Sequence, residues 1–151
     1  IGSSRPINFS ELGNFERDAL HSLAWSYEQV GMLEQGRPIL ETLDRQIEET
    51  QRLGLLHKSN DLFFYARNAL LMGEYGLALQ RLERAVESGW RDYYVQRDDP
   101  RWAPLADDPR YQALMAEVKN DVDRQRAEVE HIDDEEDLVA KLDRVRAERK
   151  Q

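Results

Sequence analysis

The stretch from Ala66 to Val86, ARNALLMGEYGLALQRLERAV, constrains the fold more than any other part of this chain. Two helix-forming runs are separated by Gly73, and the second run places Ala78 and Ala85 on one helix face. Two antiparallel helices approach closely only where side chains are small, and glycine permits the positive φ of a sharp reversal. The stretch therefore predicts a tightly packed helical hairpin, with Ala69, Ala78 and Ala85 almost fully buried between its helices.

A similar hairpin pattern occurs earlier in the chain. When the turn glycines Gly31 and Gly73 are aligned, five positions share the spacing 3, 1, 3 and 4. The two sets are Leu20, Leu23, Ala24, Tyr27 and Gly31, and Leu62, Tyr65, Ala66, Ala69 and Gly73. The same helix face is therefore built twice, which is typical of a structural repeat.

This succession of small, aromatic and glycine positions resembles the tetratricopeptide repeat (TPR), a helix–turn–helix unit of about 34 residues. The resemblance implies an all-α fold, a superhelix of TPR-like hairpins with C-terminal capping helices, which holds a partner and is not a catalyst. In the first unit Gly36 stands where Ala78 stands in the second. Because Pro38 suits the first turn of a helix, we expect that helix to run from about Pro38 to Gly54. An unrelated bundle of helical hairpins is the alternative.

Two similar octapeptides, DDPRWAPL at 98–105 and DDPRYQAL at 107–114, follow the hairpins. Asp99 and Asp108 can cap backbone N–H groups at helix starts, and the prolines after them suit the first helical position. This aromatic tail is similar to sequences that close repeat arrays in bacterial multidomain regulators, including winged-helix transcription factors, nucleotide cyclases and protein kinases. We expect a cap that closes the second hairpin. Its aromatic residues are Trp90, Tyr94, Trp102 and Tyr111.

A long helix is predicted from Pro109, because apolar residues recur at helical spacing. These residues are Tyr111, Leu114, Met115, Val118, Val122, Val129 and Ile132. Acids at 133–137 and bases from Arg144 to Lys150 have the charge order that favours a further helix. We divide the chain into an irregular segment at 1–13, two hairpins at 14–95, a capping segment with the long helix at 96–132, and a charged helix at 133–151. Helices are expected at 14–30, 38–53, 59–72, 75–88, 109–131 and 134–149, with a short turn at 91–97.

Composition limits the classes of function. The 151 residues include 34% charged residues and carry a net charge of −9. Because phosphate binding needs clustered cations, we expect no nucleic-acid partner. No apolar run reaches the roughly 20 residues that cross a bilayer. We therefore expect no membrane insertion and a cytoplasmic location, or alternatively the extracytoplasmic part of a membrane-anchored regulator.

The chain carries no signature of catalysis. It lacks a phosphate-binding loop, a dinucleotide-binding glycine pattern, an HExxH zinc motif and cysteine. The three histidines His21, His57 and His131 lack metal-ligand spacing, and His131 with Asp133 and Asp134 is interpreted as a solvated helix junction. Since no recognisable nucleophile is present, we expect no enzyme activity, no cofactor and no metal.

If the hairpins form TPR-like repeats, the first helix of each lines a concave face. The predicted groove positions, all expected to be exposed, are His21, Ser22, Trp25, Gln29, Asn60, Phe63, Phe64 and Arg67. His21, Trp25 and Phe63 stand where some relatives hold a peptide carboxylate with polar groups, so that clamp is not supported.

The run LFFY at 62–65 cannot all face one helix neighbour, so at least one of its side chains is expected outside the helix seam. It lies either in an open groove that suits an apolar or aromatic peptide, or beneath the protein's own long C-terminal helix. Both alternatives stay open at the level of sequence.

These features predict a non-catalytic scaffold that binds a protein or peptide, as a monomer or a weak homodimer. Because the chain begins at Ile1 with a segment that shows no helical period, we expect a piece of a larger bacterial regulatory or signalling protein; a terminus processed to Ile1 is the alternative. Two other functions stay open. The chain is otherwise a structural or oligomerisation module whose terminal helices pair, or an accessory domain of an enzyme whose catalytic part lies outside it.

Overall fold

A computed structural model describes residues 13–55, 58–136 and 138–148 of the chain. These residues are all-helical and contain no strand, as predicted. They form α1 (Asn14–Gln29), α2 (Leu33–Arg52), α3 (Ser59–Leu71), α4 (Tyr75–Glu87), α5 (Tyr93–Gln96), a 3₁₀ helix (Pro100–Leu105), α6 (Pro109–Glu136) and α7 (Leu138–Glu148). The predicted irregular segment 1–13 lies outside the described residues except for Gly13, and so do Asp137 and residues 149–151.

Glycine ends the first helix of each hairpin. Gly31 and Gly73 have φ angles of 74° and 79°, values that residues with a Cβ atom rarely adopt. At each site the glycine N–H donates to the carbonyl three residues back, and the next N–H donates to the carbonyl five residues back. This pair of bonds is the Schellman motif, which satisfies free carbonyls at a helix end. The two predicted turns are confirmed, and both are built in the same way.

The second hairpin, α3 and α4, packs along small side chains. Ala69, Ala78 and Ala85 have 0% of their surface exposed, so the predicted packing face is confirmed. Ala66 and Leu82 are buried equally completely. Because alanine side chains are short, the two helix backbones approach closely while still excluding water.

The first hairpin, α1 and α2, departs from the prediction at the start of its second helix. Helix α2 begins at Leu33, so Gly36 and Pro38 lie inside it, whereas the prediction began the helix near Pro38. Gly36 is buried against α1, where a Cβ atom would lie 2.9 Å from the carbonyl oxygen of Ala24. This close packing holds an additional turn of helix, and it outweighs the backbone hydrogen bond that Pro38 cannot donate.

The main hydrophobic core joins the second hairpin to the segment that follows it. Phe63 of α3 stacks on Trp90 with 4.4 Å between ring centroids and on Trp102 with 5.7 Å. Trp102 stacks in turn on Tyr111 of α6. Among the described residues, none from α1 or α2 belongs to this core. Three of the four predicted cap aromatics, Trp90, Trp102 and Tyr111, therefore cover the second hairpin.

The fourth predicted cap residue, Tyr94, is not part of the cap. Its ring is exposed, and its hydroxyl donates to Asp123 of α6 at 2.8 Å. The neighbouring Tyr93 packs against the core instead. Because successive residues of a helical turn point in different directions, only one of this pair can face the core.

Both Asp-Pro pairs start helices as predicted. Asp99 Oδ1 accepts from the N–H of Arg101 at 3.1 Å where the 3₁₀ helix begins. Asp108 Oδ1 accepts from the N–H of Arg110 at 2.8 Å where α6 begins. Each aspartate therefore satisfies a backbone donor that has no partner within its own helix.

Helix α6 extends past the core that it helps to build. Its first half carries Tyr111 and Val118 into the core, whereas Val129 and Ile132 of the predicted apolar stripe are exposed. The helix continues to Glu136, past the predicted end near residue 131, and α7 follows. Within the described ranges, no helix combines the length and apolarity that a membrane span requires.

Candidate functional site

The predicted groove residues of α3 line one cleft. Asn60, Phe63, Phe64 and Arg67 border a space of about 470 Å³, which we call the central cleft. Its other lining residues are Asp18, Trp90, Asp92, Val95, Gln96, Asp99, Pro100 and Arg101. Helix α1, helix α3 and the segment from 90 to 101 therefore build the cleft together, although they are distant in sequence.

The exposure predicted for these side chains is wrong for three of the four. Phe63, Phe64 and Arg67 are only 8%, 9% and 3% exposed, whereas Asn60 is exposed. Helix α3 is the central helix of the fold, because α1, α2, α4 and the 3₁₀ helix all contact it. With neighbours on several sides, the whole LFFY run is buried, and the rings of Phe63 and Phe64 line the cleft.

The long C-terminal helix does not fill the groove. Helix α6 packs mainly against α4 and α5. Of the residues that follow the second hairpin, the segment from Trp90 to Arg101 is the part that approaches α3. Trp90 stacks on Phe63, and Asp99 Oδ2 lies 3.7 Å from Arg67 Nη1. This segment narrows the predicted groove but leaves the central cleft open.

The remaining predicted residues lie in two other places. The buried ring of His21 borders a cleft of about 500 Å³ among α1, α2 and α3. Half-buried Trp25 and exposed Gln29 border a third cleft, of about 300 Å³, beside Tyr75 and Pro104. Seven of the eight predicted groove residues, all expected on one face, thus line three different clefts, and Ser22 instead accepts a hydrogen bond from Arg101.

Arg67 is a buried charge at the floor of the central cleft. Its Nε donates to His21 Nδ1 at 3.0 Å, and its Nη2 donates to Asp18 Oδ1 at 2.7 Å. Burial, and next the positive charge of Arg101, lower the pKa of Arg67 to about 10. The guanidinium therefore stays charged at neutral pH, balanced by Asp18 and Asp99.

Arg101 joins the 3₁₀ helix to α1. Its Nε donates to both carboxylate oxygens of Asp99, at 2.7 and 3.0 Å. Its Nη1 donates to Ser22 Oγ at 3.1 Å and to Asp18 Oδ1 at 3.4 Å. Two arginines, Arg67 and Arg101, therefore share the carboxylates of Asp18 and Asp99.

Hydrogen bonds continue from Arg67 into the interface between the hairpins. His21 Nε2 lies 3.2 Å from Asn68 Oδ1. Because Arg67 donates to Nδ1, the ring proton is assigned to Nε2, which donates to Asn68. Burial, and next the charge of Arg67, lower the pKa of His21 to about 3, so the ring is neutral. Asn68 Nδ2 donates onward to the carbonyl of Leu40 at 3.0 Å and to Asp44 Oδ1 at 3.2 Å.

Arg81 of α4 completes these contacts. Its Nη1 donates to Asp44 Oδ1 at 3.0 Å and to the carbonyl of Tyr65 at 3.3 Å, and its guanidinium lies over the Tyr65 ring. The connected set, which we call the polar network, links α1, α2, α3, α4 and the start of the 3₁₀ helix. Its members are Asp18, His21, Asp44, Arg67, Asn68, Arg81, Asp99 and Arg101.

The His21 ring near the central cleft is held by internal hydrogen bonds. Both ring nitrogens of His21 are bonded internally, so neither faces a ligand. In the part of the chain that the structure describes, no three His, Asp or Glu side chains are grouped to hold a metal. His57 lies outside that part, and His131 is exposed on α6. Aromatic rings and carboxylate groups line the central cleft.

The sequence predicted Arg67 as a groove residue but did not predict the polar network around it. The ion pair with Asp18 spans 49 residues, so no local pattern indicated it. One signal was available: Arg67 and Asn68 interrupt the apolar run LFFYARNALL of α3. Polar groups in the middle of a buried helix need internal partners.

Similarity to known proteins does not assign a family to this chain. No protein-family model, curated protein or solved structure matches it.

Proposed function

We propose that this chain is a non-catalytic interaction scaffold that binds a protein or peptide segment in the central cleft. The observation that carries the proposal is the cleft itself, about 470 Å³ in volume. Binding sites typically combine an apolar lining with a few placed polar groups. Here Phe63, Phe64 and Trp90 provide the lining, and exposed Asn60 and Asp92 provide the polar rim.

Equivalent positions in the two hairpins support the proposal that they are TPR-like repeats. Each first helix ends in the same Schellman turn, and Ala24 and Ala66 are buried at equivalent places before it. Gly36 and Ala78 are buried at equivalent places after it. Repeats of this kind create extended concave binding surfaces. The first helices, α1 and α3, both line the central cleft.

The non-catalytic part of the proposal is supported by His21, whose neutral ring is buried and bonded on both sides. The similarity of the Asp-Pro tail to sequences that close repeat arrays further supports a place within a larger bacterial regulatory protein. A cytoplasmic location belongs to the same proposal. A protein of that kind would use the module to hold a partner while another domain acts.

Blocking the cleft tests this function. Asn60 is exposed at the rim, so Asn60→Trp adds a large side chain over the opening and leaves the polar network unchanged. Asn120→Trp, on the exposed surface of α6, adds the same side chain elsewhere. A library of terminally blocked hexapeptides with degenerate central positions is passed over the immobilised full chain, its two variants and a blank surface. Retained peptides are quantified by mass spectrometry.

The wild type and Asn120→Trp should retain peptides that Asn60→Trp loses. Equal retention by all three chains, or no retention above the blank by the wild type, contradicts a binding site in the central cleft. Circular dichroism melts of the three chains confirm that the comparison is made between folded proteins.

Assembly through the terminal helices is a second candidate function. Exposed apolar residues continue along the outer half of α6 and along α7: Val129, Ile132, Val139, Leu142 and Val145. An apolar stripe on an otherwise charged helix is typical of helices that pair. Light scattering that shows a stable dimer, returned to monomer by Leu142→Asp, would favour this function. A monomer over the whole concentration range would favour the scaffold.

A further inference from the structure

We infer that the occupant of the central cleft is a cationic segment, in which a lysine or arginine stands beside an apolar side chain. The inference rests on the proposed binding function and adds the chemistry of the partner. It follows from which hydrogen-bonding groups of the cleft already have internal partners. The arginines of the cleft have them, whereas two of its carboxylates keep open acceptor atoms.

The donors of Arg67 already face internal acceptors. Its Nε donates to His21, its Nη2 donates to Asp18, and Asp99 lies 3.7 Å from its Nη1. Arginine binds a carboxylate strongly when two of its donors are free to form parallel bonds. An acidic ligand would have to break contacts that hold α1 to α3 before it gained such a pair.

Arg101 is occupied in the same way. Its Nε donates to both oxygens of Asp99, and its Nη1 donates to Ser22. Both Nη atoms also face Asp18 Oδ1 at 3.4 Å. The second guanidinium of the cleft is therefore as poorly placed as the first to receive an acidic side chain or a chain terminus.

The carboxylates, in contrast, retain open acceptor atoms. Arg67 and Arg101 both reach Asp18 through Oδ1, the side chain is 48% exposed, and no described residue donates to its Oδ2. Asp92 is exposed at the rim, and within the described ranges its carboxylate has no hydrogen bond or ion pair. The cleft thus has open acceptors on two different sides, one on α1 and one beside α5.

The charge of the cleft has the sign that attracts a cation. Three carboxylates, Asp18, Asp92 and Asp99, stand against the guanidinium groups of Arg67 and Arg101. The whole chain carries a net charge of −9, which adds to the same field. Complementary charge raises the rate of association and excludes partners of the wrong sign. An ammonium or guanidinium group supplies the donors that these open carboxylates lack.

Apolar surface lies next to these acceptors. Val95 is 78% exposed beside the cleft, and the stacked rings of Phe63 and Trp90 form its floor. A cleft of about 470 Å³ is within the usual range for sites that enclose a small ligand. It has room for a cationic side chain and an apolar neighbour, which the two kinds of surface recognise separately.

Two matched peptide sets test this chemistry. Both are terminally blocked hexapeptides with neutral degenerate positions, and one carries a fixed arginine where the other carries a fixed glutamate. Each set is passed over the full chain and over the variants Asp92→Lys and Glu117→Lys. Glu117 is exposed on α6 outside the cleft, so its variant changes the net charge equally. Asp92 has no described side-chain partner, so its replacement should leave the fold intact.

The wild type should retain the arginine set about tenfold more than the glutamate set, because each tenfold in affinity needs only about 1.4 kcal/mol. Asp92→Lys should lose most of that preference, and Glu117→Lys should keep it. Equal retention of the two sets, a preference for glutamate, or a preference unchanged in Asp92→Lys overturns the assigned partner chemistry while peptide binding itself stands. If neither set is retained, the proposed function and this inference both fail.

Discussion

The second hairpin meets the rest of the protein through two interfaces of different character. Toward the C-terminal segment it contributes to one apolar core, in which Phe63 stacks on Trp90 and Trp102. Toward the first hairpin it presents Arg67, Asn68 and Arg81 to partners on α1 and α2. The alignment of sequence spacings makes the hairpins look alike, but the core belongs to only one of them.

The difference separates two ways of holding a helix pair in place. Apolar burial is non-directional and does not depend on pH. The stability that the polar network provides depends on every member, because a buried polar group that loses its partner destabilises the fold. The attachment of the first hairpin should therefore be the part of the fold that single substitutions and acid affect most selectively.

The largest expected effect comes from fragments that keep the second hairpin and only one of its two interfaces. A fragment of residues 1–89 loses Trp90, Trp102 and Tyr111, and each aromatic side chain buries roughly 150–250 Å². At about 25 cal/mol per Å² the loss is on the order of 10 kcal/mol, comparable to the whole stability of a domain. We expect this fragment to aggregate or to unfold without cooperativity, as measured by circular dichroism melting.

A second fragment, residues 58–136, lacks the first hairpin but keeps the complete core, so it should melt cooperatively. Its Arg67, Asn68 and Arg81 lose partners, but they also gain contact with water, so no charge is left buried and unpaired. Cooperative melting of 1–89, or its absence in 58–136, would show that the core does not decide which fragment folds.

Removal of one buried charge from the polar network should have the next largest effect. Arg67→Met keeps most of the side-chain volume but leaves His21 Nδ1 without a donor. We expect a loss of about 3 kcal/mol in the free energy of unfolding, the lower end for breaking a buried ion pair, because Arg101 still balances the two carboxylates. Urea denaturation measures the change. Arg84→Met, at an exposed position of α4, is the control and should change stability by less than about 0.5 kcal/mol.

Acid should weaken the interface between the hairpins through His21. Its pKa is about 3 in the folded protein and 6.5 as the ordinary value, so below pH 6.5 the unfolded chain binds a proton that the folded chain does not. Stability from this group is therefore complete above pH 6.5 and falls as the pH decreases. Between about pH 7 and pH 5 the expected loss is about 2 kcal/mol.

The variant His21→Gln isolates this contribution. A glutamine can accept from Arg67 and donate to Asn68 as the imidazole does, but it does not titrate in this range. The other ionisable groups are the same in both chains. The difference between their urea-unfolding free energies should therefore change by about 2 kcal/mol over that pH interval. If the unfolding free energies of the two chains depend on pH in the same way, His21 is not the group that causes the loss of stability in acid.

The smallest effects distinguish the two glycines inside helices. A Cβ atom at Gly36 would meet the backbone of Ala24, so Gly36→Ala should destabilise the protein by about 1 kcal/mol. A Cβ atom at Gly76, in α4, would meet nothing within 4 Å, so Gly76→Ala should stabilise it by about 0.5–1 kcal/mol. Opposite shifts in melting temperature are expected. A rise in melting temperature for Gly36→Ala would mean that Gly36 has room for a methyl group, and a fall for Gly76→Ala would contradict the open space at that position.

Features set by short-range chemistry were predictable from the sequence. The turns at Gly31 and Gly73 and the cap at Asp108 each depend on atoms within a few residues. Such rules fix local geometry whatever packs around them. The helix ends and the alanine face of the second hairpin followed from the same kind of pattern.

Features set by distant neighbours were not predictable. Arg67 looks exposed on a helical wheel, but its charge is balanced by Asp18 and Asp99, which lie far away along the chain. Helix α2 begins before Pro38 because Gly36 rests on α1, a contact that no propensity scale contains. The cleft itself arises where these tertiary contacts leave space, so the sequence predicted only four of its twelve lining residues and the exposure of only one of them, Asn60.

The direction of the bonds in the polar network has a consequence for how the chain finds its fold. From Arg67 through His21 and Asn68 to Asp44, each group donates to the next in the same sense. A slip of α3 by one helical turn, about 5.4 Å, would separate these pairs. The hydrogen bonds of this interface therefore form in only one register of α3 against α1 and α2. In a protein built from two similar hairpins, hydrogen bonds that form in one register disfavour incorrect packing of one hairpin on the other.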